Sequence, residues 1–271
     1  MREVKVSRIR SVERAIQILN CFSVQEPELS IDQIVERTRL AKATVYRILY
    51  TLEYHGLIRY HAPRAVYRLG FQLLNYGGIL LSTLAIRTEA DEELNQLQLK
   101  TRQTVLMGIA EGQSLVYIDS RETLEGLKYS SYIGRLRPLH YGVLGRVLLA
   151  YQPPELVDAI LSQPIAPTTE HSVVEPEAIV RQLEEIRHQG YLVEVGQTIV
   201  GATGVGAPIF NACHRCVAAV GVVGPSAALN PEVLPEVVAA VRQTARAISQ
   251  KLGWSPLADV ATAVPQPVSG Q

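Results

Sequence analysis

The sequence predicts an α+β protein with an N-terminal winged helix-turn-helix, a linker helix and a C-terminal domain built on an antiparallel sheet. Three helical patterns and a hairpin fall within about 60 residues near the N-terminus, which is the layout of a winged helix. Strand-like and helical segments then alternate, as in a sheet surrounded by helices. We expect the winged helix over residues 8–70, the linker over 71–87, the second domain over 88–253 and a disordered tail over 254–271.

The three N-terminal helices have recognisable boundaries. The first is predicted over residues 11–22, with Ser11 as its cap. Ser30 opens the second, and Gln33 stands three residues later, as in a capping box. The third is predicted over residues 41–56, where Gly56 ends it because glycine tolerates the positive φ of a helix end. The helix-turn-helix is therefore predicted over residues 30–53.

The third helix has two contrasting faces. Apolar residues at i, i+3, i+4 and i+7 form a stripe for burial: Val45, Ile48, Leu49 and Leu52. The other face is basic and hydroxyl-bearing, and it has no carboxylate before Glu53. DNA phosphates on both sides of a major groove exclude acidic side chains from such a face. We predict DNA contacts on this helix and on the following wing at Lys42, Ala43, Thr44, Tyr46, Arg47 and Arg64. The alternative is a three-helix bundle with a solvated basic face.

Charge is distributed unevenly along a chain whose net charge is zero. Residues 1–70 contain 12 Lys/Arg and 7 Asp/Glu, a balance of +5, whereas the remainder has a balance of −5. A basic N-terminal quarter is typical of a module that binds a polyanion.

The sequence also predicts the compartment. The N-terminus has no apolar signal region, and the longest nearly apolar run, around residues 77–86, is shorter than the roughly 20 residues of a membrane span. Three cysteines are an odd number, which suits a reducing cytoplasm and not a disulfide framework. We expect a cytoplasmic protein without a membrane partner.

The remaining elements follow from their periodicities. The linker helix contains Gly77 and Gly78, and these glycines suit close packing against a second copy. Hairpins are predicted around residues 111–114 and 211–215, and a further strand over 127–134. Helices are predicted over residues 88–101, within 144–155, from 153 to 162, and over 175–190 and 230–253.

Several motifs, in this order, resemble those of IclR-type bacterial transcription regulators across residues 11–253. They are "SVERAIQIL", "AKATVYRILYTLEYHGLI", "YRLG", "RPLHYGVLGRVLLA", "GYLVEVGQ", "VGAPIF" and "VAAVGVVGP". The resemblance implies a GAF/PAS-like effector domain and a dimer, or a dimer of dimers, on a palindromic double-stranded operator. It also implies a small organic acid as effector and control of a catabolic operon. We expect no cofactor.

The resemblance places the effector pocket between the sheet and the segment "LHYGVLG". Free N–H groups at the start of the helix there favour a carboxylate. Carried over, the pocket residues are Tyr141, Gly142, Val143, Leu144, Glu194, Gln197, Gly204, Gly221 and Val223. Many members have cysteine or small hydroxyl residues where this chain has Gly204, Gly221 and Val223. Fewer polar groups and two glycines predict a roomier, more apolar pocket and an aromatic or otherwise apolar acid.

Two alternative functions remain open. Cys213 and Cys216 have the spacing of half a zinc site, and no second pair completes it, but a redox- or metal-sensing regulator is possible. A small-molecule enzyme is the remote alternative, because the sequence places no nucleophile and orienting acid beside His140. The same parts serve a repressor and an activator, and they suit a dimer as well as a tetramer.

Overall fold

The computed structural model describes residues 8–82, 84–123 and 132–255. The chain divides into two compact units, residues 1–84 and 85–271. None of the helices within the described residues is long and apolar enough to cross a membrane.

The first unit is a winged helix-turn-helix, which confirms the predicted fold. Two antiparallel strands form the wing around a single 3-10 turn, and Leu29 bridges Tyr67 beside them. The elements are α1 (Arg10–Leu19), α2 (Ile31–Thr38), α3 (Lys42–Tyr54), β1 (Ile58–His61), β2 (Val66–Leu69) and α4 (Phe71–Ser82).

Local interactions explain where these helices begin. The predicted capping box is present: the Gln33 amide donates to Ser30 Oγ at 3.3 Å, and the Ser30 amide donates to Gln33 Oε1 at 2.8 Å. The predicted cap at Ser11 is wrong. Helix α1 already begins at Arg10, and its N-cap residue Ile9 makes no side-chain cap. Helix packing through Ile18 in the core holds α1 without that cap.

The linker is shorter than predicted. Helix α4 ends at Ser82, and the next helix, α5, begins at Ala85 instead of Thr88. The apolar pattern continues through Leu84 and Ile86, so periodicity alone does not reveal the break. A Cβ added to Gly77 or Gly78 would meet no atom within 4 Å, so this face of α4 is open in a single chain.

The second unit is built on a six-stranded sheet in the order β5-β4-β3-β8-β7-β6, with antiparallel neighbours throughout. The predicted α+β class is confirmed. The strands are β3 (Thr104–Glu111), β4 (Ser114–Arg121), β5 (Leu136–Pro138), β6 (Leu192–Val195), β7 (Ala202–Phe210) and β8 (Cys216–Pro225). The helices are α5 (Ala85–Thr101), α6 (Gly142–Leu149), α7 (Pro154–Leu161), α8 (Pro176–Gln189) and α9 (Leu234–Lys251).

Most predicted elements of this unit are present. Both hairpins occur, and α8 ends at Gly190, whose φ of 77° is the left-handed conformation expected there. The strand predicted over 127–134 falls largely outside the described residues, and residues 132–134 form a turn before β5. Helix α9 begins at Leu234, four residues later than predicted. The amides of Glu232 and Val233 donate to Asn230 Oδ1, so these residues form a turn before the helix. The predicted tail lies outside the described residues beyond 255.

Strand β4 contains a β-bulge that gives Tyr117 and Asp119 different surroundings. Met107 pairs with Asp119 and Gly108 with Tyr117, so Ile118 is an extra residue. A bulge of this kind changes the face toward which side chains point. Tyr117 lines a cavity with α6, whereas Asp119 bonds to Arg87 of α5.

Candidate DNA interface and effector site

The first candidate site is the exposed face of α3. Val45, Leu49 and Leu52 are buried in the core of the first unit. The predicted DNA contacts on α3 lie together on its first two turns. Four of them, Lys42, Ala43, Tyr46 and Arg47, are exposed, and Thr44 is half-buried. The arrangement suits insertion of the helix start into a major groove.

Several charged residues near this face already have partners. Lys42 Nζ lies 2.6 Å from Asp32 Oδ1, and Arg64 Nη1 lies 2.9 Å from Glu28 Oε2. Exposed pairs contribute about 0–1 kcal/mol, so a phosphate can replace the carboxylate at little cost. Within the described residues, Arg47 forms no ion pair at 4.0 Å or less. Arg47 is therefore the most available cation of the predicted set.

The second candidate site lies at the start of α6. Tyr141 precedes the helix without forming a side-chain cap, and Gly142 has a φ of 66°, which favours glycine. Two adjoining cavities meet there and share Gly142, Glu194 and Thr198. An open helix start beside a cavity is a favourable place for a carboxylate.

The two cavities differ in chemistry. The inner one has a volume of about 30 Å³, and Val143, Leu144, Gly204 and Val223 are among the residues that line it. The outer one, of about 270 Å³, is lined by polar groups that include Gln197. Its wall contains Arg137, whose guanidinium lies 4.6 Å from the centre of the Tyr141 ring. Polar recognition groups are thus concentrated in the outer cavity.

The prediction that glycines enlarge the pocket is wrong. A Cβ added to Gly204 would lie 3.1 Å from Cγ1 of Val143, and one added to Gly221 would lie 2.7 Å from Cδ1 of Leu144. The glycines therefore admit side chains of α6 and do not leave empty space. Gly221 sits beneath Leu144 and is absent from the lining of either described cavity.

Two oppositely charged residues are buried at this site. Arg146 is 7% exposed and donates to the carbonyl oxygens of His140 and Val173, both at 2.6 Å, and to Gln182 Oε1 at 3.2 Å. Burial lowers the pKa of Arg146 to about 10, and the charge of Glu194 opposes that shift. Burial also raises the pKa of Glu194, against hydrogen bonds from Thr198 and the charge of Arg146.

Glu194→Gln is expected to raise the free energy of unfolding at pH 7–8. A carboxyl whose pKa is raised on folding binds its proton more tightly in the folded state. The protonated carboxyl of Glu194 therefore gives its full stabilising contribution below the pKa of the unfolded state. This contribution is lost as pH rises through the pKa of the folded state. Thermal unfolding from pH 4 to 8 measures the effect. The difference between the variant and the parent should shrink toward pH 4, and an equal difference at all pH values would contradict this account.

Sequence comparison with the family's pocket missed Arg146, Thr198 and Thr203. Thr203 is 1% exposed, lines the inner cavity, and donates from its hydroxyl to Ser226 Oγ at 2.9 Å. The signal for Arg146 was present in the sequence, because it is the single charged residue in the apolar run "GVLGRVLLA". An isolated charge in a buried helix requires partners, and these mark a polar site.

Two observations weigh against a redox or metal centre at the cysteine pair. Cys213 is exposed at the β7–β8 turn, whereas burial raises the pKa of Cys216 to about 12. A reactive cysteine needs a stabilised thiolate, and the Cys216 thiol is instead held neutral. The part of the chain that the structure describes contains no group of three or more potential metal ligands.

Models of two known protein domains match this chain, one for each unit. The model of the IclR helix-turn-helix domain matches residues 11–62, and that of the bacterial transcriptional regulator IclR C-terminal domain matches residues 79–250. The HTH-type transcriptional regulator XynR of Escherichia coli is 33% identical over 248 residues, covering 91% of this chain and 98% of its own. The glycerol operon regulatory protein of Streptomyces coelicolor is 33% identical over 254 residues, covering 90% and 97%.

Solved structures share the fold. The IclR of Thermotoga maritima has a TM-score of 0.74 at 27% identity, covering 91% of this chain and 100% of its own. An IclR homolog of Microbacterium hydrocarbonoxydans, complexed with 4-hydroxybenzoate, has a TM-score of 0.80 at 23% identity, covering 89% and 98%. These relatives are transcriptional regulators and not enzymes. The chain belongs to the IclR family of bacterial transcriptional regulators.

Proposed function

We propose that this chain binds a palindromic operator through α3 and that a small organic acid in the second unit controls the binding. The observation that carries the proposal is the exposed, acid-free start of α3 on a winged helix. Lys42, Thr44 and Arg64 supply phosphate contacts, which give affinity that decreases with salt. Arg47 supplies a base contact, since its fork matches the O6 and N7 atoms of guanine.

Arg47→Ala is expected to weaken operator binding by about 1–3 kcal/mol and to relax the base preference at one position of each half-site. Arg64→Ala is the matched control, because it should weaken binding to all duplexes alike and lower the salt dependence. Fluorescence anisotropy on a duplex selected from a random pool, at several salt concentrations, measures both. An unchanged affinity of the Arg47 variant would contradict the role of α3.

The effector is proposed to be a small organic acid whose carboxylate lies at the start of α6. The open N–H groups of that helix and the guanidinium of Arg137 support this placement. The 4-hydroxybenzoate complex of the Microbacterium homolog concerns a protein that shares the fold at 23% identity. For this chain, an aromatic or otherwise apolar acid stays a prediction, and the outer cavity of about 270 Å³ is the larger of the two spaces at the start of α6.

Calorimetry with aromatic, hydroxylated and short oxo acids tests the effector proposal. Binding of one acid, together with a change in operator affinity, is the expected result. Binding of none of these acids, or binding without an effect on DNA, would contradict it.

Assembly as a homodimer or tetramer on the operator is part of the proposal. Two helices of the first unit expose apolar side chains that a second copy would cover: Val12 and Ile16 of α1, and Phe71, Leu74, Ile79 and Leu80 of α4. A two-fold dimer would match the two half-sites of a palindrome. A cytoplasmic location follows from the partner, because bacterial DNA lies there. Control of a catabolic operon is proposed from the glycerol operon regulator among its relatives.

A further inference from the structure

The outermost stripe of α3 differs from the set of residues that its basic character suggested. The buried stripe consists of Val45, Leu49 and Leu52, at spacings of four and three. A second stripe with the same spacings starts two positions earlier, at Ala43, and continues with Arg47. Two positions correspond to about 200° around a helix, so this second stripe lies opposite the core. Its members are Ala43, Arg47, Tyr50 and Tyr54.

Tyrosine rings dominate this stripe and its margin. The exposed fractions are 58% for Tyr46, 66% for Tyr50 and 80% for Tyr54. Isolated exposed apolar residues are ordinary, but three large rings along one helix form a patch that is typical of an interaction surface. Tyr50 is next after Arg47 on the outward stripe, so a groove that receives Arg47 receives Tyr50 as well.

The polar neighbours of the stripe are engaged within the unit. The hydroxyl of Thr51 donates to the carbonyl oxygen of Arg47 at 2.9 Å. The carboxylate of Glu53 accepts the amide of Tyr60 on the wing at 3.2 Å, so the acid of this helix is directed away from the stripe. Lys42 is bound to Asp32. These contacts leave the outward stripe without a carboxylate, which suits DNA.

We propose that Tyr50 is a specificity-determining residue that contacts base edges beside Arg47, an inference that rests on the proposed function. The chemistry of the stripe defines the ligand. Arg47 matches guanine, and the Ala43 methyl and the Tyr50 ring present apolar surfaces that match thymine methyl groups. Each half-site therefore contains a guanine with thymine beside it, and Tyr50 selects that thymine.

The experiment uses the full chain and a random pool of duplexes. Binding sites selected by the parent, Tyr50→Phe and Tyr50→Ala are sequenced, and affinities are measured on the duplex preferred by the parent. Tyr50→Ala is expected to lose about 4-fold discrimination at a thymine beside the guanine, the contribution of one buried methyl group, while Tyr50→Phe keeps the preference because it keeps the ring. Replacing that thymine by uracil removes only the methyl group, and it should weaken the parent more than Tyr50→Ala.

The outcomes separate the inference from the proposed function. An unchanged base preference in Tyr50→Ala, or an equal loss on all duplexes, would overturn the role of Tyr50 while leaving operator binding by Arg47 intact. Failure of the parent to select any sequence would overturn the proposed function and the inference with it. Tyr50 is exposed, so both variants should keep the parent's thermal unfolding midpoint. Tyr54→Ala is the matched control, and it should leave the base preference unchanged because that residue lies one turn further from the start of α3.

Discussion

Arg146→Met is expected to lower the free energy of unfolding of the second unit by about 3–5 kcal/mol. The substitution keeps most of the side-chain volume but removes every donor. The carbonyl oxygens of His140 and Val173 and the amide oxygen of Gln182 then lose their hydrogen bonds inside the protein. Buried Glu194 also loses the positive charge that favours its ionised form.

Trp254, the one tryptophan of the sequence, reports on this unfolding because its ring stacks near Phe210 at a centroid distance of 6.2 Å. Urea titration followed by its fluorescence measures the change. Arg146→Lys is the control. It should recover part of the loss because it keeps the positive charge, although it cannot form all three hydrogen bonds of the guanidinium. A change below 1 kcal/mol for Arg146→Met would show that the buried network contributes little.

Asp119→Ala is expected to lower the free energy of unfolding by about 3 kcal/mol. Asp119 is 3% exposed, and its two carboxylate oxygens accept from Arg87 Nη2 at 3.1 Å and from Arg121 Nε at 2.8 Å. Alanine leaves both guanidiniums without this acceptor, and it detaches the first turn of α5 from β4.

Asp91→Ala is the matched control for Asp119. Asp91 also binds Arg121, but its side chain is 60% exposed, so its removal should cost at most about 1 kcal/mol. The same urea titration compares the two variants. Equal effects of the two substitutions would contradict the view that burial of Asp119 makes its ion pairs valuable.

Features set by neighbouring residues in the chain were predictable from the sequence. The capping box of Ser30 and Gln33 needs only three residues of spacing, and Gly190 marks a helix end by its backbone freedom alone. The winged helix followed from the order of such local elements. For the same reason, the buried stripe of α3 and the exposed face opposite it were predictable.

Features that depend on distant residues were not. Lys42 is bound by Asp32 from another helix, and this pairing depends on how α2 and α3 cross. Gly204 suggested empty space, but Val143 comes from a separate helix and fills it.

The measurement that tests the central claim most directly is the ratio of two dissociation constants. The full chain is titrated at one fixed salt concentration into a duplex selected from a random pool and into a shuffled duplex of the same composition. Sequence recognition by α3 predicts at least about 10³-fold tighter binding to the selected duplex. Equal affinities for the two duplexes would contradict the claim that this chain is a sequence-specific regulator.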